Sequence, residues 1–169
     1  VIGVTGTDGK TTTANLIYNI LIAAGLPAGI ISTVNAVIGD EVVDTGFHVT
    51  TPEAPDVQRY LSRMRTAGLT HVVLESTSHG LAQHRVTGCE FDIGVVTNIT
   101  HEHLDYHGSY NEYRGAKARL LQMLAQSVEK VLVPRKLAVL NQDDSSYEFL
   151  RGIPKVPVAT YGSGADANV

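Results

Sequence analysis

The first residues whose types and spacing could do chemistry form the segment Gly-Thr-Asp-Gly-Lys-Thr at positions 6–11. It follows an apolar, β-branched run at 1–5 and precedes a helical pattern at 10–24. A tight loop between a strand and a helix points backbone N–H groups and the helix N-terminus at one place, which suits a polyphosphate. Lys10 would supply a cation to the β- and γ-phosphates, and the Thr11 hydroxyl would ligate Mg²⁺. The alternative is a glycine-rich turn that binds nothing.

The glycine spacing departs from the most common phosphate-loop pattern. That pattern needs a glycine where this chain has Val4, and the glycines stand instead at 3, 6 and 9. The chain also lacks the Asn-Lys-x-Asp segment that reads guanine, so a simple phosphate-loop kinase or GTPase is disfavoured. The strand-to-helix position of Gly-Lys-Thr is still the context that phosphate binding requires.

Acidic and histidine side chains follow two other predicted strands. Glu75 ends an apolar run at 71–74, where strand ends of an open α/β sheet line the ligand crevice. It is therefore placed to hold Mg²⁺, and the alternative is a solvated strand end. The loop after Asn98 is rich in titratable groups, which indicates a site, although the spacing does not match zinc. We expect one or two of these groups to contact metal or substrate. They are His101, Glu102, His103, Asp105 and His107.

Lys117 stands where a helix predicted over 109–126 should be apolar. At ~100° per residue it falls in the middle of the apolar face, opposite Gly115, Arg119 and Gln122. Burial would depress its pKa and leave a nucleophilic neutral amine, which can take up carbon dioxide to form an anionic, Mg²⁺-binding carbamate. The alternative is a lysine that snorkels to water. The apolar face consists of Tyr110, Tyr113, Leu120, Leu121 and Leu124.

These candidates need a scaffold, and the pattern of the chain predicts an α/β fold of the phosphate-loop NTPase kind. Short β-branched runs alternate with helical segments, which indicates a mostly parallel sheet flanked by helices. A small β-hairpin at 34–45, turning at Gly39-Asp40, would decorate the sheet. The predicted strands are 1–5, 29–33, 71–75, 92–97, 136–140 and 156–160. The predicted helices are 10–24, 53–67, 109–126 and 144–151.

The bulk composition indicates one globular domain over 1–169. The formal net charge of -4 gives no basic excess for nucleic acid or for a membrane surface. The single cysteine, Cys89, cannot form an internal disulfide, so a reducing, cytoplasmic compartment is expected. The longest apolar region, 16–31, is too broken to span a bilayer. The chain opens on a buried strand and stops just after another, so we expect a domain cut from a longer protein.

The motifs taken together resemble the Mur ligases, which build the peptide stem of peptidoglycan. The resemblance covers essentially the whole chain, and the glycine spacing at 3, 6 and 9 is that family's own form. The Ser-His-Gly-Leu and His-Arg elements are most similar to the tripeptide-synthase (MurE) branch. Asp8 departs from the family, which usually has Asn there. The matching segments are 3–13, 50–53, 75–81, 84–85, 97–99, 103–108, 116–117 and 141–144.

The resemblance implies a role for each matched residue. ATP would be bound by Gly6, Thr7, Asp8, Gly9, Lys10, Thr11 and Thr12, with Asn141 at the adenine. Mg²⁺ would be held by Thr11, Glu75, His103 and a carbamylated Lys117. The catalytic residues would be Lys10, Lys117 and His103. The UDP-N-acetylmuramoyl-peptide substrate would be contacted by Thr50, Thr51, Ser78 and Arg85.

The resemblance also implies a reaction and partners. ATP would phosphorylate the substrate carboxylate to an acyl phosphate, and an amino acid amine would then displace phosphate. Family members carry an N-terminal domain for the UDP portion and a C-terminal domain that selects the amino acid, so the chain would be the central ATPase domain and inactive alone. The rivals are a related ligase such as folylpolyglutamate synthase or another Mur branch, and a nucleotide-binding module without catalysis.

Overall fold

A computed structural model describes residues 1–44, 51–100, 102, 104–130, 135–165 and 167–168. The strands are β1 (Ile2–Thr5), β2 (Ala28–Ile31), β3 (Ala36–Ile38), β4 (Glu41–Val43), β5 (His71–Glu75), β6 (Ile93–Val96), β7 (Leu137–Asn141) and β8 (Val158–Tyr161). The helices are α1 (Lys10–Ala23), α2 (Ala54–Thr66), α3 (Ser78–Ala82), α4 (Leu104–His107), α5 (Tyr110–Gln126) and α6 (Tyr147–Leu150). Among these residues no helix is both long enough and apolar enough to cross a bilayer.

The strands form one eight-stranded sheet in the order β4-β3-β2-β5-β1-β6-β7-β8. Strands β2, β5, β1, β6, β7 and β8 pair in parallel, whereas β3 and β4 pair antiparallel as the predicted hairpin, which turns at Gly39 with φ 62°. Strand β1 lies between β5 and β6, with Val4 opposite both Glu75 and Val95. The carboxyl ends of these three strands therefore meet at one edge, where ligands bind in such sheets. The predicted fold class is confirmed.

The core has two parts, one on each face of the sheet. Val4 and Val73 pack with Ala14 of α1 on one face. Leu74 packs with Leu120 of α5 on the other, because successive strand residues point to opposite faces. The central strands are covered on both sides, which explains their nearly continuous apolar sequence.

The cysteine belongs to this core. Cys89 is 4% exposed, and the Gln58 side-chain amide donates a hydrogen bond to its sulfur at 3.7 Å. Burial raises the pKa of the thiol to about 11. The thiol is therefore protonated and shielded in the folded chain at neutral pH.

Two short helices escaped prediction, and one predicted helix is shorter than expected. Helix α3 is capped by Thr77, whose hydroxyl accepts from the Gly80 N–H at 3.0 Å. Helices α3 and α4 hold five and four residues, too few to show a 3.6-residue period. In the segment predicted as helix 144–151, only Tyr147–Leu150 is helical. The Asp144 carboxylate accepts from the Ser146 N–H at 2.9 Å and from the Ile99 N–H at 3.0 Å, which holds the start as a turn.

Candidate functional site

The glycine-rich segment forms a loop between β1 and α1, as predicted. Gly6 lies so close to the next strand that a β-carbon there would sit 1.9 Å from Thr97 Oγ1. The loop is held from the same side by the segment after β6: the Thr7 N–H donates to the Asn98 carbonyl at 2.7 Å, and the Asp8 N–H donates to the Asn98 side-chain oxygen at 2.9 Å. The loop conformation therefore depends on β6 as much as on its own glycines.

The N-terminus of α1 is open to an anion. Gly9 is its N-cap, with φ 75°, and provides no side-chain cap, and the first turn holds no acidic residue. The first backbone N–H groups of a helix lack partners within the helix and attract negative charge. Lys10 Nζ donates to the Thr7 carbonyl at 2.6 Å, so its ammonium lies against the loop. These groups together can bind phosphate oxygens.

A buried carboxylate lies beside the first turn of α1. Glu75 is 0% exposed at the end of β5. Its Oε1 accepts from the Thr11 hydroxyl at 2.8 Å and from the Thr33 hydroxyl at 2.9 Å, and its Oε2 accepts from the Thr33 N–H at 3.0 Å. The structure thus brings together Thr11 and Glu75, as the sequence predicted, and adds Thr33.

Lys117 is buried, which settles the choice that periodicity left open. It is 2% exposed, so it does not snorkel to water, and its Nζ donates to the Gly6 carbonyl. Burial, assisted by the nearby positive charge of Lys10, lowers the pKa of Lys117 from its ordinary value of 10.5 to about 7. Near neutral pH a substantial fraction of this amine is uncharged and nucleophilic.

Two buried hydroxyls at the same edge lack a hydrogen-bond partner within the described part of the chain. They are Thr5 Oγ1 and Ser76 Oγ, one residue beyond the Val4–Glu75 pair in the β1–β5 ladder. Both residues are 0% exposed. Unpaired buried hydroxyls are uncommon, and an oxygen from a ligand or water would satisfy them.

The predicted substrate-contact residues Thr51, Ser78 and Arg85 are turned largely into the protein. Thr51 is 0% exposed, and its hydroxyl accepts from the Thr77 N–H at 2.9 Å. Ser78 is 2% exposed at the start of α3. Arg85 donates to the Thr51 carbonyl at 2.8 Å and pairs with Glu53 at 3.0 Å. These contacts shape the segment around α3, and a direct role in substrate binding stays a prediction.

Comparison with known proteins decides the family. A model of the Mur ligase middle domain matches residues 4–169. The chain belongs to the Mur ligase family. The UDP-N-acetylmuramyl-tripeptide synthetase of Roseiflexus sp. (strain RS-1) is 43% identical over 175 residues, which cover 100% of this chain and 34% of that protein. The UDP-N-acetylmuramoyl-L-alanyl-D-glutamate--2,6-diaminopimelate ligase of Geobacter metallireducens is 42% identical, covering 96% and 31%. This Mur ligase chain thus spans about a third of the length of these curated relatives.

Solved structures agree with the sequence relatives. The chain superposes on a UDP-N-acetylmuramoyl-L-alanyl-D-glutamate--2,6-diaminopimelate ligase with a TM-score of 0.84 and 32% identity, covering 99% of this chain and 33% of the other. It superposes on E. coli FolC, solved with DHPP and ADP, with a TM-score of 0.67. That match is only 21% identical, over 95% of this chain and 42% of FolC, so it shows a shared fold alone.

The remaining predicted site residues of this Mur ligase chain differ in their exposure and in their contacts. Thr12 is exposed on the first turn of α1, and Asp8 is exposed on the loop. The Asn141 amide donates to the Thr97 carbonyl at 3.1 Å and accepts from the Asp143 N–H at 3.0 Å, so it also joins β6 to β7. Its proposed adenine contact stays a prediction. His103 and Thr50 lie outside the described residues.

Sequence reasoning missed three residues that hold the site together. Thr33 clamps Glu75, Asn98 fixes the loop backbone, and the Tyr113 hydroxyl lies 3.0 Å from Thr7 Oγ1. Each contact joins residues far apart in the chain, so no local spacing reveals it. For Tyr113 and Asn98 there was a partial signal, since Tyr113 lies one helical turn from Lys117 and Asn98 follows a strand end.

Proposed function

We propose that this chain is the ATP-binding domain of an amide-bond-forming Mur ligase of the tripeptide-synthase branch. The observation that carries the proposal is the bond from buried Lys117 to the Gly6 carbonyl. It puts a partly neutral amine directly against a loop whose N–H groups and Lys10 suit phosphates. Burying a lysine costs free energy, so a lysine kept at this position supports a role in the site.

The surroundings of Glu75 fit a divalent cation. Its carboxylate is fully buried, yet the hydrogen bonds described above come from two hydroxyls and one N–H, all neutral donors. A buried carboxylate whose donors among the described residues are neutral can accept a cation, and hard oxygen ligands are those that Mg²⁺ prefers. Thr11 and Glu75 would hold the ion, with His103 and a carbamylated Lys117 as further ligands. When bound, Mg²⁺ neutralises charge on the transferred phosphoryl group.

Lys117 is suited to carbamylation. Its neutral amine nitrogen would attack the carbon of carbon dioxide, form an N–C bond and release one proton. The product is an anion, and the positive charge of Lys10 nearby favours it, just as that charge disfavours the protonated amine.

The proposed reaction has two steps. A carboxylate oxygen of the acceptor attacks the γ-phosphorus of ATP, the bond to the β–γ bridging oxygen breaks, and ADP leaves. The amine of an amino acid then attacks the acyl carbon to form a tetrahedral intermediate, the nitrogen gives up a proton to solvent, and the bond to phosphate breaks so that phosphate departs. Lys10 and the loop N–H groups hold the phosphates in line and offset the developing charge, which is the main task of a phosphoryl-transfer site.

The acceptor we propose is a UDP-N-acetylmuramoyl-peptide, as named for the relatives. The domains that occupy the rest of the relatives' length would bind its UDP portion and choose the amino acid. Thr50, Thr51, Ser78 and Arg85 are the proposed acceptor contacts in this chain. Of these, Thr51 lies next to Glu75, because its hydroxyl donates to the Glu75 carbonyl at 3.4 Å.

A calorimetric titration of ATP with Mg²⁺ tests the proposal. We expect saturable binding by the wild type and its loss in Lys10→Ala. The matched control is Lys155→Ala, an exposed lysine before the amino end of β8, at the opposite edge of the sheet. A folded wild type that does not bind, alone or within the full-length ligase, would contradict the proposed function.

A further inference from the structure

Tyr113 contacts both the phosphate loop and Lys117, and the proposed reaction gives it no role. It is 0% exposed in the first half of α5. A tyrosine buried at this depth is expected to have a partner for its hydroxyl. Within the described part of the chain, its hydroxyl contacts a residue of the loop.

The hydroxyl of Tyr113 fixes Thr7. The two side-chain oxygens are 3.0 Å apart, and the same Thr7 oxygen accepts from the Thr100 N–H at 2.9 Å. Thr7 is therefore held by α5 and by the segment after β6 together. Because Lys10 donates to the carbonyl of Thr7, the position of Thr7 also sets where that ammonium rests.

The ring of Tyr113 confines Lys117. Lys117 Nζ lies 4.6 Å from the ring centroid, within the range of a cation–π contact. The two residues are four apart on one helix, so they face each other across a turn. The ring is packed in turn by His107 of α4, with centroids 5.3 Å apart. The Tyr113 ring thus packs against the Lys117 side chain and limits its movement away from the Gly6 carbonyl.

We propose that Tyr113 is a positioning residue that sets the phosphate loop and Lys117 relative to each other. The inference rests on the proposed function. The hydroxyl acts through Thr7 on nucleotide affinity, and the ring acts through Lys117 on turnover. The two parts of one side chain therefore have separable effects, which a purely structural residue would not show.

Two substitutions separate these effects. Tyr113→Phe keeps the ring and removes the bond to Thr7, and we expect nucleotide affinity to fall about threefold to tenfold. Tyr113→Leu also removes the aromatic ring that packs beside Lys117. In the full-length ligase we expect Phe to raise KM for ATP with kcat preserved, whereas Leu lowers kcat on the order of a hundredfold. The matched control is Tyr110→Phe on the same helix, whose hydroxyl donates to the Ile99 carbonyl instead.

The outcomes distinguish this inference from the proposed function. Absence of nucleotide binding by the wild type contradicts the function itself. Normal binding by the wild type and equal binding by Tyr113→Phe overturns the inference alone. If Tyr113→Leu fails to fold, a double-mutant cycle of Tyr113→Phe with Thr7→Val decides: we expect the second substitution to add little once the first is present, and full additivity would overturn the role of the hydroxyl.

Discussion

At the residue scale, the site buries two groups that ordinarily carry charge, and their surroundings differ. Glu75 is surrounded by donors, whereas Lys117 is placed among apolar residues and loses part of its charge. The position of Lys117 could be predicted from the sequence because helical periodicity places it on an apolar face. Its bond to the Gly6 carbonyl could not, since the partner is 111 residues away.

The depressed pKa of Lys117 makes stability depend on pH. Between about pH 7 and 10.5 the unfolded chain holds a proton on this lysine that the folded chain lacks, so wild-type stability rises with pH in that window. Relative to Lys117→Met, we expect the free energy of unfolding to gain about 1.4 kcal/mol per pH unit there and to be flat below pH 7. Denaturant melts between pH 6 and about 10 measure this difference. For exposed Lys155→Met, the difference in free energy of unfolding from the wild type should not change with pH. If the difference for Lys117→Met is equally independent of pH, the lowered pKa of Lys117 is contradicted.

Gly6 is required by the close approach of β6. Gly6→Ala would place a methyl group on Thr97 Oγ1, so we expect a loss of roughly 1–3 kcal/mol in stability and of nucleotide binding. Gly115→Ala is the control, because a β-carbon there meets nothing within 4 Å and alanine favours helix. Thermal unfolding of both variants gives the comparison, and equal effects would argue against the proximity of Gly6 and Thr97.

At the element scale, α5 carries Tyr113 and Lys117 over the ends of β1 and β6. The strands were predictable to within two residues because buried parallel strands are short β-branched runs. Helices α3 and α4 were not, since a single turn has no period to detect. The start of α5 lies within one residue of the predicted one: Ser109 caps the helix by accepting from the Glu112 N–H at 3.2 Å, and its hydroxyl donates to the Glu112 carboxylate at 3.3 Å.

Ser109 caps α5, the helix that carries Tyr113 and Lys117. We expect Ser109→Ala to reduce the free energy of unfolding by about 1 kcal/mol, the usual cost of an N-cap. Urea denaturation measures the change, with Ser62→Ala, an exposed position inside α2, as the control. Should the two variants be equally stable, Ser109 would not act as a cap in solution.

At the scale of the whole molecule, the two faces of the sheet are covered unequally. Helix α1 covers β1, β2 and β5 on one face, and beyond it lies an apolar groove of about 410 Å³. Leu16 and Ile20, on the exterior of α1, are 58% and 66% exposed. This asymmetry could not be predicted from the composition of the chain, because it depends on the order of the strands in the sheet. The groove is lined by Ile2, Thr13, Ile17, Ile93, Val95, Leu137, Val139 and Tyr161.

This apolar surface should be detectable in the native chain. We expect a hydrophobic dye such as anilinonaphthalene sulfonate to fluoresce with the folded protein, because exposed apolar patches bind such dyes. Ile17→Lys, within the groove, should reduce the signal without unfolding the chain. Val34→Lys, at a residue 65% exposed near β3, is the control. An unchanged signal in Ile17→Lys would place the dye elsewhere.

The burial of Cys89 has a consequence for following the loop in real time. It is the only cysteine among 169 residues, and its thiol is shielded and held protonated by the core. A cysteine introduced at Leu16, which is 58% exposed on α1 and is not among the proposed ATP contacts, would therefore be the only thiol that reacts readily with a maleimide fluorophore. A reporter on the second turn of α1 would then register the arrival and departure of nucleotide within milliseconds, without a competing label in the interior.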